Sequence, residues 1–119
     1  MNEKILVVEG EKALRHLYQN ELQENGYEVI TAANGKGALN KLKQEPVDLI
    51  VLDLVLPDGS GFEYLEKFVR VKRKVKVVIN TSEHSYRNDF HSWVADAFLT
   101  KSTDLSELKN TIESVLHTN

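Results

Sequence analysis

The chain has 119 residues, with 15 Lys and Arg against 18 Asp and Glu and a net charge of −3, so residues 1–119 read as one domain. Charges of mixed sign argue against a direct nucleic-acid binder, which would usually be basic, and a hydrophobic content of 41% supplies one core rather than two. There is no cysteine, which excludes disulfides and thiolate metal sites, and no signal peptide or membrane-length apolar run, so a cytoplasmic protein away from the membrane is expected.

Ile5-Leu-Val-Val8 is a short apolar run that ends at Glu9-Gly10-Glu11 and predicts a first strand. Lys12 to about Asn25 carries Ala13, Leu14, Leu17, Tyr18 and Leu22 at three-and-four spacing, the mark of an amphipathic helix. Asn25-Gly26 stops it. Tyr27 to Ala32 alternates and holds Val29, Ile30 and Thr31, which predicts a second strand. Gly35 to about Gln44 places Ala38, Leu39 and Leu42 on one helical face, and Pro46 closes that helix. From Leu49 the chain is continuously apolar, as suits a third strand covered on both faces, and it runs to Asp53. Pro57, Gly59 and Gly61 then force a turn.

Phe62, Tyr64, Leu65, Phe68 and Val69 recur at helical spacing. Val75 to Ile79 predicts a fourth strand, ending at Asn80-Thr81-Ser82. Ser85 to Val94, with Phe90, Trp93 and Val94 on its apolar side, predicts a weak fourth helix. Ala97-Phe-Leu99 is a short fifth strand ending at Thr100-Lys101. Asp104 with Glu107 three residues on has the form of a capped helix start, and Leu105, Leu108, Ile112, Val115 and Leu116 continue it. Five strands alternating with five helices give an α/β fold with a parallel sheet and right-handed crossovers. A flavodoxin-like, doubly wound sheet of order 2-1-3-4-5 is the cheapest architecture, although the pattern itself carries the class and not the order.

Such a fold gathers the carboxyl ends of its strands at one edge, where ligands bind. Those ends carry Glu9 and Glu11, Asp53, Thr81 and Ser82, and Lys101. Carboxylates collect a hard cation such as Mg²⁺. A carboxylate is also a nucleophile toward phosphorus, giving an aspartyl phosphate, and a lysine and a hydroxyl hold phosphoryl oxygens.

These residues, in order, resemble the receiver domain of two-component response regulators over the whole chain. The marks are the acidic end of strand one, Asp53 with Leu56-Pro57-Asp58-Gly59 and Gly61, Val78-Ile-Asn-Thr81-Ser82, and Ala95-Asp-Ala-Phe98-Leu-Thr-Lys101. The resemblance implies that Asp53 takes a phosphoryl group from a histidine kinase or phosphotransfer protein. It implies that Val55 offers a carbonyl to Mg²⁺ beside Glu9 and Asp53, that Thr81 and Lys101 contact the phosphoryl group, and that Phe98 is a switch aromatic. It implies signalling to a downstream protein target or to an output domain outside this chain, with at most slow loss of the chain's own phosphate rather than enzymatic turnover.

Two positions depart from the family. Gly10 stands where a second, directly metal-binding acid is usual, so weakened Mg²⁺ affinity and slower phosphorylation are expected. Ser102 follows Lys101 where a proline with a cis bond is usual. A cis bond before a non-proline residue costs about 3–4 kcal/mol, so a trans bond is expected. Both departures also suit an alternative, a phosphorylation-independent pseudo-receiver that serves as a protein-interaction module. An aspartate-nucleophile phosphatase ranks last, because Val55 stands where those enzymes carry an acid. The basic run from Arg70 to Lys76 reads first as a solvated loop, and His16, His84, His91 and His117 have no metal spacing.

Overall fold

The computed structural model describes residues 2–82 and 94–117. In chain order it contains β1 (Lys4–Val8), α1 (Lys12–Glu24), β2 (Glu28–Ala32), α2 (Gly35–Gln44), β3 (Leu49–Leu52), β4 (Val55–Leu56), β5 (Gly59–Ser60), α3 (Gly61–Val71), β6 (Lys76–Thr81), β7 (Ala97–Thr100) and α4 (Ser106–His117). The main sheet runs β2-β1-β3-β6-β7. All four neighbouring pairs are parallel. With β6 and β7 as the fourth and fifth strands, this is the flavodoxin-like order 2-1-3-4-5.

Every residue of β3 and all but the first of β1 are buried, because both strands lie inside the sheet with a core on each face. One core packs Leu6, Val8, Ile50, Leu52 and Ile79 against Leu42 of α2 and Leu65 and Phe68 of α3. The other packs Ile5, Val7, Val51 and Val78 against Tyr18 and Leu22 of α1 and Leu108 and Ile112 of α4. An apolar run without alternation is what two-sided burial requires.

The strand ends differ from the sequence-based expectation. β6 continues through Asn80 to Thr81, and β7 through Thr100, because Asn80 and Thr81 pair with Leu99 and Thr100. Polar residues just past the two apolar runs are thus held in the sheet by a neighbouring strand. The two-residue antiparallel ladder of β4 and β5 was not expected. The expected helix from Ser85 lies outside the described residues except for Val94. No helix among the described residues is long and apolar enough to cross a membrane.

The last turn of α4 is tied to the start of the chain. His117 Nε2 lies 2.6 Å from Glu3 Oε2, and its Nδ1 lies 2.9 Å from Glu113 Oε1. The bonds to Glu3 and Glu113 raise the imidazole's pKa above its ordinary value. The Glu3 carboxyl is correspondingly lowered, first by the His117 bond. A group whose folded pKa is raised stabilises the fold fully below its unfolded pKa, about 6.5 for histidine, and that contribution is lost as pH climbs through the folded value. Thermal unfolding followed upward from about pH 6 is therefore expected to show a small drop in Tm that His117→Gln abolishes. Because the imidazole is exposed, the drop is small and shrinks further in high salt.

Candidate functional site

Four parallel strands deliver their last residues to one edge of the sheet. Glu9 follows β1, Asp53 follows β3, Thr81 ends β6, and Lys101 follows β7 with its N–H donated to Thr81 O at 2.9 Å. Asp53 Oδ2 accepts a hydrogen bond from Lys101 Nζ at 2.8 Å. Asp53 Oδ1 accepts from Thr81 Oγ1 at 3.1 Å and from the Val55 N–H at 3.1 Å. Lys101 Nζ also lies 2.7 Å from Glu9 Oε1. Glu9, Asp53 and Thr81 are 3%, 7% and 1% exposed, so these charges meet in a largely water-excluded place. There one ammonium bridges two carboxylates, which offsets much of their desolvation. Burial pushes the Lys101 pKa down, but the hydrogen bonds it donates to Asp53 and Glu9 outweigh it, and the ammonium is held above its ordinary value.

The loop after Asp53 is fixed by backbone contacts that only glycine allows. A Cβ on Gly61 would lie 2.6 Å from Asp53 O and 2.7 Å from Leu54 Cα, and Gly59 has φ +146°. Asp58 spans from this loop to the first turn of α2. Its Oδ1 accepts the Gly35 N–H at 2.9 Å, and its Oδ2 accepts the Lys36 N–H at 3.0 Å and the Tyr64 hydroxyl at 3.0 Å. Slight burial pushes the Asp58 carboxyl up, but the two helix amides prevail and hold it below its usual range. A carboxylate at a helix N-terminus is favoured by the orphan N–H groups and the dipole. The Tyr64 ring lies where a Gly35 side chain would be, 2.2 Å from an ideal Cβ.

At Gly10 there is no acid, and Pro57 fills the adjoining space. A Cβ there would sit 3.1 Å from Pro57 Cδ. Glu9 is held instead by the Glu11 N–H, which donates to Oε2 at 3.0 Å. Glu11 itself is exposed at the start of α1, with no side-chain cap bond. Arg15 Nη1 donates to Glu9 O at 2.8 Å and to Gly10 O at 3.3 Å. Val55 presents an exposed side chain on β4, while its amide is taken by Asp53. Phe98 is half-buried on β7 and packs on the α2–α3 core.

No described peptide bond is cis, so Lys101–Ser102 is trans, as expected. The Ser102 hydroxyl accepts the Asp104 N–H at 3.1 Å, and Asp104 Oδ1 accepts the Ser106 N–H at 2.9 Å. Two side-chain-to-backbone turns thus close this loop and lead it into α4.

Glu9 and Asp53 present carboxylate oxygens, the ligands Mg²⁺ prefers, and these two buried carboxylates already stabilise one cation between them. Among the described residues no three acidic or histidine side chains converge as a metal cluster. The set therefore fits an ion that keeps several waters rather than one enclosed by protein. Sequence reasoning named Glu9, Asp53, Thr81 and Lys101, and the structure brings all four together. It missed Arg15 and the span made by Asp58. A basic side chain one turn into a helix, pointing back toward the strand end, was the available signal for Arg15.

The family model for the response regulator receiver domain matches residues 5–113. The chain is 34% identical over 121 residues to the alkaline phosphatase synthesis transcriptional regulatory protein PhoP of Bacillus subtilis, covering 98% of this chain and 49% of that protein. It is 30% identical over 118 residues to sporulation initiation phosphotransferase F of the same organism, covering 98% and 95%. It thus spans about half of the first relative and nearly all of the second. Among solved structures, response regulator TrrA of Thermotoga maritima in complex with Mg²⁺-BeF superposes with a TM-score of 0.91 at 39% identity, over 96% of this chain and 99% of that one. TrrA in complex with histidine kinase ThkA gives a TM-score of 0.89 at 39% identity, over 96% and 98%.

Proposed function

We propose, because the chain belongs to the response regulator receiver domain family, that Asp53 is the aspartate on which it accepts its phosphoryl group. One observation carries this reading: Lys101 Nζ and Thr81 Oγ1 lie 2.8 and 3.1 Å from the two oxygens of a single buried carboxylate. A carboxylate oxygen of Asp53 attacks phosphorus, the O–P bond forms, and the N–P bond of a kinase phosphohistidine breaks with imidazole as leaving group. Lys101 and Thr81 turn toward the incoming phosphoryl oxygens, with charge from one and a hydroxyl donor from the other. Glu9, Asp53 and the Val55 carbonyl would hold Mg²⁺, which when bound neutralises charge between the carboxylate and the anionic donor.

Gly10 supplies no acid, so metal binding is weaker than in a pocket with a third carboxylate, and phosphorylation is slower without being abolished. As Thr81 moves toward the phosphoryl group, Phe98 turns inward and the face of β7 and α4 changes, a local charge event that biases a two-state surface. The partners are a histidine kinase or phosphotransfer protein on one side and a downstream protein or output domain on the other. The whole chain, residues 1–119, acts as this single domain in the cytoplasm.

Incubation with acetyl phosphate and Mg²⁺, followed by intact mass, is expected to add one phosphoryl group that Asp53→Asn prevents. The Mg²⁺ concentration for half-maximal labelling is expected to exceed that of a receiver with two acids at positions 9 and 10. No labelling at high donor and Mg²⁺ would instead favour the pseudo-receiver reading, which Gly10 supports.

A further inference from the structure

The segment that carries Glu9 is tied on either side of a residue without a side chain. The Glu9 N–H donates to Ala32 O at 3.1 Å, while the carboxylate is shared between the Glu11 N–H and Lys101. Next to it stands Gly10. Its φ lies outside the positive region, which among the described residues only Gly26 and Gly59 occupy, so its conformation does not call for glycine. Glycine nevertheless loses the most freedom when fixed, and it brings no side chain of its own to pack. Arg15 supplies the missing restraint. One guanidinium nitrogen donates to two consecutive carbonyls, those of Glu9 and Gly10, which fixes the peptide between them. Charged donors make such bonds shorter and stronger than neutral ones.

We propose that Arg15 is a positioning residue: by holding the Glu9 and Gly10 carbonyls through one nitrogen, it keeps the Glu9 carboxylate aligned for Lys101 and for a divalent cation. It gives position 10 the order that a packed side chain would otherwise provide. This rests on the reading of Glu9 as a metal-binding group, and Arg15 acts through Glu9 alone.

The test uses the full chain and three variants, with two readouts: amide hydrogen exchange at Glu11, whose N–H is bound by the Glu9 carboxylate, and Mg²⁺ affinity by calorimetry. Arg15→Met keeps the apolar stem and removes the donors. It is expected to speed exchange at Glu11 and to weaken Mg²⁺ binding, each by about tenfold, as loss of an outer partner of a metal ligand does. Adding Gly10→Ala to Arg15→Met narrows the backbone freedom of position 10 and seats a methyl 3.1 Å from Pro57 Cδ, and with Pro57 giving way by a few tenths of an ångström it is expected to restore Glu11 protection at least in part. An arginine that merely decorated α1 would show no such rescue. Unchanged exchange at Glu11 in Arg15→Met overturns the proposal, as does faster exchange spread evenly along α1. Mg²⁺ affinity unmoved by Glu9→Gln would remove Glu9 from the metal site and so overturn the earlier reading, while exchange at Glu11 still decides the role of Arg15.

Discussion

Lys101→Met is expected to cut phosphoryl uptake from acetyl phosphate by about a hundredfold, the scale set by losing one preorganised donor to developing negative charge. The geometry gives the reason. Nζ is 2.8 Å from the proposed nucleophile and 2.7 Å from Glu9, so one ammonium stands between these two buried carboxylates. Removing it also leaves those carboxylates facing one another. A fully buried pair broken this way costs about 3–5 kcal/mol, and the partial exposure of the Lys101 side chain brings the expected loss here to about 1–2 kcal/mol. Urea unfolding measures that loss. In the Lys101→Met background, Asp53→Asn removes one of the opposed charges and is expected to recover most of it. Additive effects of the two changes would show that the pair is not coupled.

Gly61→Ala carries the other large effect. The added Cβ would meet Asp53 O at 2.6 Å and Leu54 Cα at 2.7 Å, and both are backbone atoms with no rotamer to yield. The Gly61 N–H donates to Leu54 O at 2.8 Å, so α3 cannot back away without losing that bond. Ser60 caps the same turn through the Phe62 N–H at 3.2 Å. Overpacking of this kind costs about 1–3 kcal/mol, and the upper end is expected because the clash is backbone on backbone. Gly26→Ala is the useful contrast. Gly26 has φ +96° and nothing within 4 Å, so its cost is conformational strain alone, about 1 kcal/mol. Denaturant midpoints that rank Gly26→Ala as the more damaging change would refute this. Gly61→Ala is further expected to slow labelling of Asp53, whose own carbonyl must shift.

The fold was legible because the chain is locally consistent. Apolar runs without alternation mark β1 and β3, three-and-four spacing marks α1, α2, α3 and α4, and their alternation leaves little choice but a parallel sheet. Glu9, Asp53, Thr81 and Lys101 were legible because each stands within two residues of the end of an apolar run. What stayed hidden depends on partners distant in sequence. The fourth strand was expected over Val75 to Ile79, and only β7 alongside carries it on through Asn80 and Thr81. Asp58 read as part of a Pro/Gly turn, and only the packing of α2 beside that turn makes it a cap for Gly35 and Lys36. Ser102 was marked by the proline it replaces, but the use of its hydroxyl to close the loop follows from where Asp104 lies.

The ion pair between Lys101 and Asp53 joins residues 48 apart in sequence and belongs to two different strands. No piece of the chain that lacks β1, β3, β6 or β7 holds the assembled pocket, and a partly folded molecule in which β7 has not docked on β6 keeps its carboxylate but lacks the ammonium beside it. Such contacts, distant along the chain, are among the slower ones to form during folding. Competence to take up phosphate therefore requires β7 docked on β6, so labelling kinetics during refolding would report formation of that strand pair separately from the gain of helix.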